Sequence, residues 1–393
     1  MPGIRFFLVC GNNALNHYRE RDLQGKQPLA QYCKALSAIK NIVTSFQTPG
    51  VKAGLAALAL AGGALLATPG AQARAPQSAP RTSAAAAPLQ CPPPTLPSPA
   101  DYQAEAQRPH PDQGVLWELR KGEHTAYLFG TIHLGKLPWI YPGPRTAQAL
   151  RTAPAIALEL NPLDPQTLQT LMQAMARDSD AQQLVMRNNP QLRTRMDAMA
   201  QALCIERNSW QGMTTIPKIL ALAVADVSRD GYNMAFGIDL NLAAMAQVVA
   251  RPILPLETAQ EQLDAMGLGG KDPLANLATP DDITKVLDDI RSGKSREMTG
   301  ELVRHWQSGD LAALETLMRT CNCMDDLGMK TAMLDDRNQR MAERISPLVA
   351  QHPKLFIAVG LLHMVGDNNL LQLLQKEGFT VRQLTGKGAD SAQ

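Results

Sequence analysis

The sequence predicts an α/β protein whose central mixed sheet is built from two β/α halves with a large helical insertion between them. Two apolar runs carry most of this. YLFGTIHLG at 127–135 and LFIAVGLLHMVG at 355–366 each read as a buried strand that stops at a glycine and presents a histidine three residues later, His133 and His363. Glycine permits an abrupt exit from a sheet, and in open α/β sheets ligands gather beyond the carboxyl ends of the strands. The third observation is the stretch between them, which is mostly helical in pattern and broken by short apolar runs at 155–160 and 253–256.

Taken in order, the chain opens with a basic segment. Residues 1–73 hold seven of the 38 Lys and Arg but only two of the 36 Asp and Glu, leaving 31 basic and 34 acidic residues beyond them. The body is therefore slightly acidic and lacks the basic footprint of a nucleic-acid partner. Residues 53–67, AGLAALALAGGALLA, follow Lys52 and are too short and too rich in Ala and Gly for a membrane span. Ala71-Gln72-Ala73 has the small-x-small form of a secretory cleavage site. A signal peptide cut after Ala73 is expected, giving a periplasmic or secreted protein with no stable membrane span; an uncleaved anchor at 53–67 is the alternative. The segment ahead of Val51 is too long for a normal signal n-region, and Val51-Lys52 would serve as a later start.

An oxidising compartment lets disulfides persist. Cys91, Cys204, Cys321 and Cys323 remain after cleavage, and the C-x-C spacing does not suit a zinc knuckle. A bridge from Cys204 to Cys321 or Cys323 is the expected staple, with connectivity left open. Residues 74–112 are rich in Ala, Pro, Ser and Gln and read as a disordered linker, because they bury too little apolar surface to offset chain entropy.

The folded domain is expected over 113–386, with a loose tail at 387–393. VLWELR and HTAYLFG read as a hairpin turning at Lys121-Gly122-Glu123. A helix from about Pro144 to Thr152 follows, then a strand from Ala155 to Leu160 that carries Glu159 near its end. A carboxylate there wants a metal, an arginine or the surface, whereas Asp164 before Pro165 reads as a helix cap. The helices that follow place Met172, Met175, Met186, Met196 and Met199 at core-like spacings. A helix from about Asp239 to Val249 runs into a strand at Ile253 to Leu256, whose end carries Glu257; Asp239 is placed either to cap that helix or to reach the site. A long helix is expected around 335–338, then a helix from Asp367 to Lys376 and a last strand from Phe379 to Leu384.

YLFGTIHLG, IALELNP, GIDLNLAAMAQ, ILPLETAQEQL, DDRNQRMAERI and AVGLLHMVGDNNLLQLLQKEGFTV, in that order over residues 115–385, resemble the TraB/GumN family, which includes the Tiki metalloproteases. The resemblance implies a fold like that of the erythromycin esterase and ChaN groups, with the two Gly-x-x-His motifs side by side. It implies a divalent metal, manganese or cobalt, on His133, His363 and Glu159, and it matches Asp239, Glu257, Gln262, Arg337 and Asn338 to further family positions. Leu361 and Asn369 depart from the small residue and glycine usual around the second motif.

The function expected is metal-dependent hydrolysis, with a peptide or small molecule as substrate. Two neutral imidazoles and a carboxylate leave coordination positions open for water and a carbonyl, and an N, N, O set also suits zinc or iron. Glu257 or Asp239 would serve as general base, and Arg337 would orient a carboxylate or steady an oxyanion. The quieter readings make Asp239 a cap, Glu257 and Arg337 a structural ion pair, and Gln262 a loop partner. His110, His124, His305 and His352 read as surface or capping residues. H-E-x-x-H and G-x-S-x-G are both missing, which excludes two common hydrolase types. The alternatives are a metal-independent hydrolase with histidine as base, and a non-catalytic periplasmic protein that binds a peptide, haem or polysaccharide fragment. Nothing in the sequence fixes an oligomeric state.

Overall fold

A computed structural model describes Cys91, residues 97–266, Leu268, residues 279–321 and residues 331–389. The signal segment, its cleavage after Ala73 and the 53–67 run lie outside the described residues. No helix among the described residues is long and apolar enough to cross a membrane.

Six strands form one mixed sheet: β1 (Leu116–Lys121), β2 (His124–Thr131), β3 (Ile156–Leu158), β4 (Ile253–Pro255), β5 (Phe356–Gly360) and β6 (Thr380–Gln383), in the order β4-β3-β5-β2-β1-β6. Lys121 pairs with His124, so the β1–β2 hairpin turns on two residues, and Gly122 takes the left-handed φ of 58° that so tight a loop needs. The β4, β3, β5 and β2 strands run parallel, while β1 is antiparallel to both β2 and β6. Every residue of β5 is buried, as expected for a parallel strand covered on both faces. It sits between β3 and β2, so the last parallel strand of the chain fills the centre of the sheet.

That register sets the two histidine motifs against each other. Gly130 pairs with Val359 and Thr131 with Gly360. Neither motif glycine has a positive φ, so the expected backbone release is not their role. A Cβ on Gly130 would instead overlap the side chain of Leu361, the residue just after Gly360. Gly130 is a close-approach residue that lets the second motif lie on the first.

Fourteen α-helices complete the described fold, several starting at the positions read from sequence. The helix Pro144–Thr152 matches its expected bounds, and Asp164 accepts from Thr167 N to cap Pro165–Met175. Helices from Pro165 to Ser228, with Pro280–Ser292 and Met333, enclose a second apolar core of their own. Met175 and Met196 are buried there, whereas Met172 is 37% exposed, contrary to its expected core position. The expected 367–376 helix starts only at Leu370, because Asn369 caps it by accepting from Gln372 N. Asn368 before it adopts a left-handed φ.

Three expectations fail. Cys204 bridges to Cys91, not to Cys321 or Cys323, and Cys321 is also disulfide-bonded. Within the span read as linker, Pro99–Ala106 forms a helix, here α1. Ser98 and Asp101 cap it reciprocally, and it has an anchor for docking in the buried Tyr102. Lys387, assigned to the loose tail, donates through its backbone N to Ser308 O and pairs with Asp310.

Candidate active site

Four parallel strands end along one edge of the sheet, and each delivers one polar side chain just beyond its last residue. His133 follows β2, Glu159 follows β3, Glu257 follows β4 and His363 follows β5. Two helices close the cluster from outside the sheet. The first turn of α2 (Ile238–Val248) brings Asp239, and α3 (Asp336–Gln351), entered through a π-turn at Thr331–Asp335, brings Arg337 and Asn338. The structure thus gathers all six candidate residues of the sequence at one place.

Arg337 is the hinge of the arrangement. It is 2% exposed, and its Nη2 lies 2.5 Å from Glu159 Oε2 and 2.6 Å from Glu257 Oε2. Its Nε also donates to Glu257 at 3.0 Å, so the guanidinium fork faces Glu257 in the planar geometry that favours arginine. Gln262 Nε2 spans the same two carboxylates at 3.3 and 3.4 Å. The other oxygen of Glu159 accepts from Gly360 N at 2.7 Å, which ties β3 to the start of the second histidine motif.

The two imidazoles are each held at Nδ1, but by different groups. His133 Nδ1 lies 2.6 Å from Asp239 Oδ2, and the Thr131 hydroxyl donates to Asp239 Oδ1 at 2.5 Å. His363 Nδ1 donates to Asn338 Oδ1 at 2.6 Å, and Asn338 Nδ2 donates to Asn368 O, a bond that fixes which way the amide faces. Asp239 therefore reaches the site and is not an N-cap; Gly237 holds that position without a side-chain bond.

The electrostatics diverge accordingly. Burial opposes a charge on His133, yet the carboxylates of Asp239 and Glu159 outweigh it and hold its pKa up to about 9. Burial also opposes the charge on Asp239, and His133 with Thr131 overcome it, so that carboxyl titrates below its ordinary range. His363 has no carboxylate at Nδ1. Burial, the Arg337 guanidinium and His133 all push its pKa well below 6.5. Glu159 is raised by burial, with Arg337 and His133 opposing.

Among the described residues, no three His, Cys, Asp or Glu side chains already form a group that could hold a metal. The donor chemistry still fits a divalent ion at the imidazole pair. Holding a ligating ring through its other nitrogen is the usual outer-shell arrangement. His133 Nε2 is buried with no hydrogen-bond partner. His363 Nε2 stands 3.9 Å from Glu159 Oε1, within the roughly 4.2 Å that can separate two atoms each about 2.1 Å from a shared ion. The set that would hold it is His133, His363 and Glu159.

Sequence reasoning left Asn338 without a role, although its position next to Arg337 was the available signal. Trp306 was missed altogether; its indole Nε1 donates to Gly130 O at 2.9 Å and braces the first motif. His110, read as surface or capping, bonds Glu105 O in the last turn of α1 through Nε2 and also stacks on Tyr141 at 5.0 Å.

A family model described as the TraB/PrgY/gumN family matches residues 115–383. The chain is 24% identical over 317 residues to the metalloprotease TIKI2 of Danio rerio, covering 68% of this chain and 60% of that protein. It is 22% identical over 310 residues to the metalloprotease TIKI1 of Danio rerio (68% and 62%), and 21% identical over 314 residues to the metalloprotease TIKI1 of Homo sapiens (68% and 61%). The match spans about three-fifths of the length of these relatives. No solved structure matches.

Proposed function

The chain belongs to the TraB/PrgY/gumN family, and from that premise we propose that it is a metal-dependent hydrolase acting on peptides, with His133, His363 and Glu159 as the metal ligands. The observation that carries the reading is the pair of Gly-x-x-His motifs on adjacent parallel strands, each imidazole fixed at Nδ1 and one Nε2 left buried and unpartnered. The distant likeness to proteins named metalloproteases supports it. A divalent ion so held would polarise a carbonyl and acidify water near neutral pH. Manganese or cobalt is favoured by the family resemblance, and zinc or iron also suits the donor set.

The chain's own residues divide the remaining work. Asp239 and Glu257 each lie within 2.6 Å of a basic side chain, so they orient His133 and Arg337, and neither takes the place of a free general base. Asn338 keeps the His363 ring turned so that Nδ1 carries the proton and Nε2 bears the lone pair. Arg337 bridges Glu159 and Glu257, its Nη2 donating to both carboxyl groups. The Cys91–Cys204 bridge fits an oxidising compartment, and cleavage after Ala73 with release to the periplasm or medium completes this reading.

One observation favours a second reading, a metal-independent hydrolase with histidine as base. Glu159 is already engaged, by Arg337 on one oxygen and Gly360 N on the other. Metal binding and peptide-library cleavage by the purified chain separate the two. The metal reading expects a stoichiometric divalent ion that is lost in the His133→Ala, His363→Ala double variant, with cleavage abolished by a chelator and restored by metal. Cleavage that survives the chelator supports the second reading, and no retention of Mn, Co, Fe or Zn removes the first.

A further inference from the structure

We propose that residues 98–112, buckled to the helical insertion through Cys91 and Cys204, form a strap that holds the His133 half of the site in shape. The inference concerns structure only and stands apart from the hydrolase reading. Helix α1 has eight residues, too few to persist alone in water. It exists because it is capped and because Tyr102 docks among Ile140, Tyr141 and Phe236, a small apolar cluster separate from both larger cores.

Further contacts fasten the rest of the strap. The Tyr141 hydroxyl donates to Tyr102 O at 2.8 Å, and Tyr102 meets Phe236 edge to face at 6.4 Å. The His110 ring stacks on Tyr141 while its Nε2 bonds Glu105 O at 3.0 Å. Asp112 accepts from Arg145 N and Thr146 N, both at 3.0 Å, and so satisfies the open end of the helix that follows the His133 loop.

The surfaces it grips lead straight to the site. Ile140 and Tyr141 belong to the loop that leaves His133, and Phe236 stands three residues before Asp239. A Cβ on Gly135 would overlap Phe236 O, and one on Gly237 would overlap His133 O, so the two loops are in backbone contact. Gly135 and Asn233 also bridge them, and Ile238 N donates to Ile132 O at 2.9 Å. Tyr102 presses on this clamp from outside. Among the described residues no counterpart of the strap covers His363, which sits in the turn directly after the fully buried β5.

The crosslink keeps the strap in place. Ser98 is seven Cα–Cα steps from Cys91, a reach of at most about 25 Å. The helix therefore stays near Cys204 at an effective concentration in the millimolar range, on the order expected for a short tether. Its other end is fixed where Val115 enters the core.

Hydrogen–deuterium exchange on the full chain tests this, with a Cys91→Ser, Cys204→Ser double variant. Exchange should quicken by about tenfold or more at 99–106, 135–141 and 233–238, and stay unchanged at 356–366. Unchanged exchange throughout, or an equal rise in both halves, overturns the proposal. Tyr102→Ala keeps the crosslink and should give the same local pattern; if it leaves 135–141 and 233–238 as protected as before, the strap does not act on the site, whatever the folding of the cysteine variant.

Discussion

The two Gly-x-x-His motifs begin alike and end in opposite environments. His133 stands in the loop after β2, faces a carboxylate and is held as a cation up to about pH 9; His363 stands in the 3-10 turn after β5, faces an amide and is kept neutral. One backbone device therefore yields two electrostatic roles, decided by residues far away in sequence, Asp239 and Asn338. The identity of the Nδ1 partner, more than the motif itself, sets what each histidine can do.

Arg337 joins the halves, and removing it is the harshest way to break the comparison. Arg337→Ala leaves Glu159 and Glu257 buried side by side without their cation, and should cost about 3–5 kcal/mol in a denaturant titration. An unchanged midpoint would mean that the cluster contributes no coupling between the halves.

Exchanging the partners sharpens it. Asp239→Asn and Asn338→Asp should each lower metal affinity or cleavage by about 10- to 100-fold, the usual effect of altering an outer-shell partner. In chelator-treated protein, NMR titration of the Asp239→Asn variant should find the His133 pKa well below about 9, because burial remains and its main opposing charge is gone. A pKa that stays near 9 would show that Glu159 alone sustains the cation.

Stability should then report the two halves with opposite signs. His133 has a folded pKa above its unfolded value of about 6.5, so its contribution is complete below pH 6.5 and fades as pH rises through about 9. His363 has a depressed folded pKa, so its contribution is present above about 6.5 and is lost on acidification. The alkaline decline should flatten in Asp239→Asn while the acid limb persists; a decline of equal slope in both proteins would dissociate it from His133.

A smaller effect is expected from Thr131→Val, which removes the hydroxyl bond to Asp239 and should cost about 1 kcal/mol. The smallest belongs to a pair in neither half. Arg344 beside Glu261 holds that carboxyl down to about 2, so its contribution exists above about 4.5 and disappears as pH falls through about 2. Being partly exposed, Glu261→Gln should change stability by at most about 1 kcal/mol and leave both histidine titrations as they were.

Much of the site was legible because strand ends are: an apolar run that stops at a glycine or a carboxylate marks the sheet edge, and His133, Glu159, Glu257 and His363 all lie within three residues of one. Asp239 and Arg337 were legible only as positions, since periodicity cannot tell a cap from a ligand partner. That Cys204 is bridged was legible, but its partner was not. Cys91 lies in a Pro-rich tract where no pattern announces a partner, and the turn-like stretch at Cys321 and Cys323 drew the expectation instead. The strap left a signal that composition hid: Ser98-Pro99-Ala100-Asp101 is a capping box with proline at the first helical position, followed by a single tyrosine.

Strand β5 completes the sheet from far along the chain. Its Phe356 pairs with Tyr127 and with Ile156, partners laid down some 200 residues or more earlier. Such pairing is slow to find and must wait for the chain. During synthesis β2, β3 and β4 leave the ribosome with a gap between β2 and β3, Glu159 lacking the Gly360 amide and Arg337 arriving only shortly before the gap is filled. The cluster at the sheet edge is thus completed only when β5 enters between β3 and β2, bringing the Gly360 amide to Glu159 and His363 just behind it.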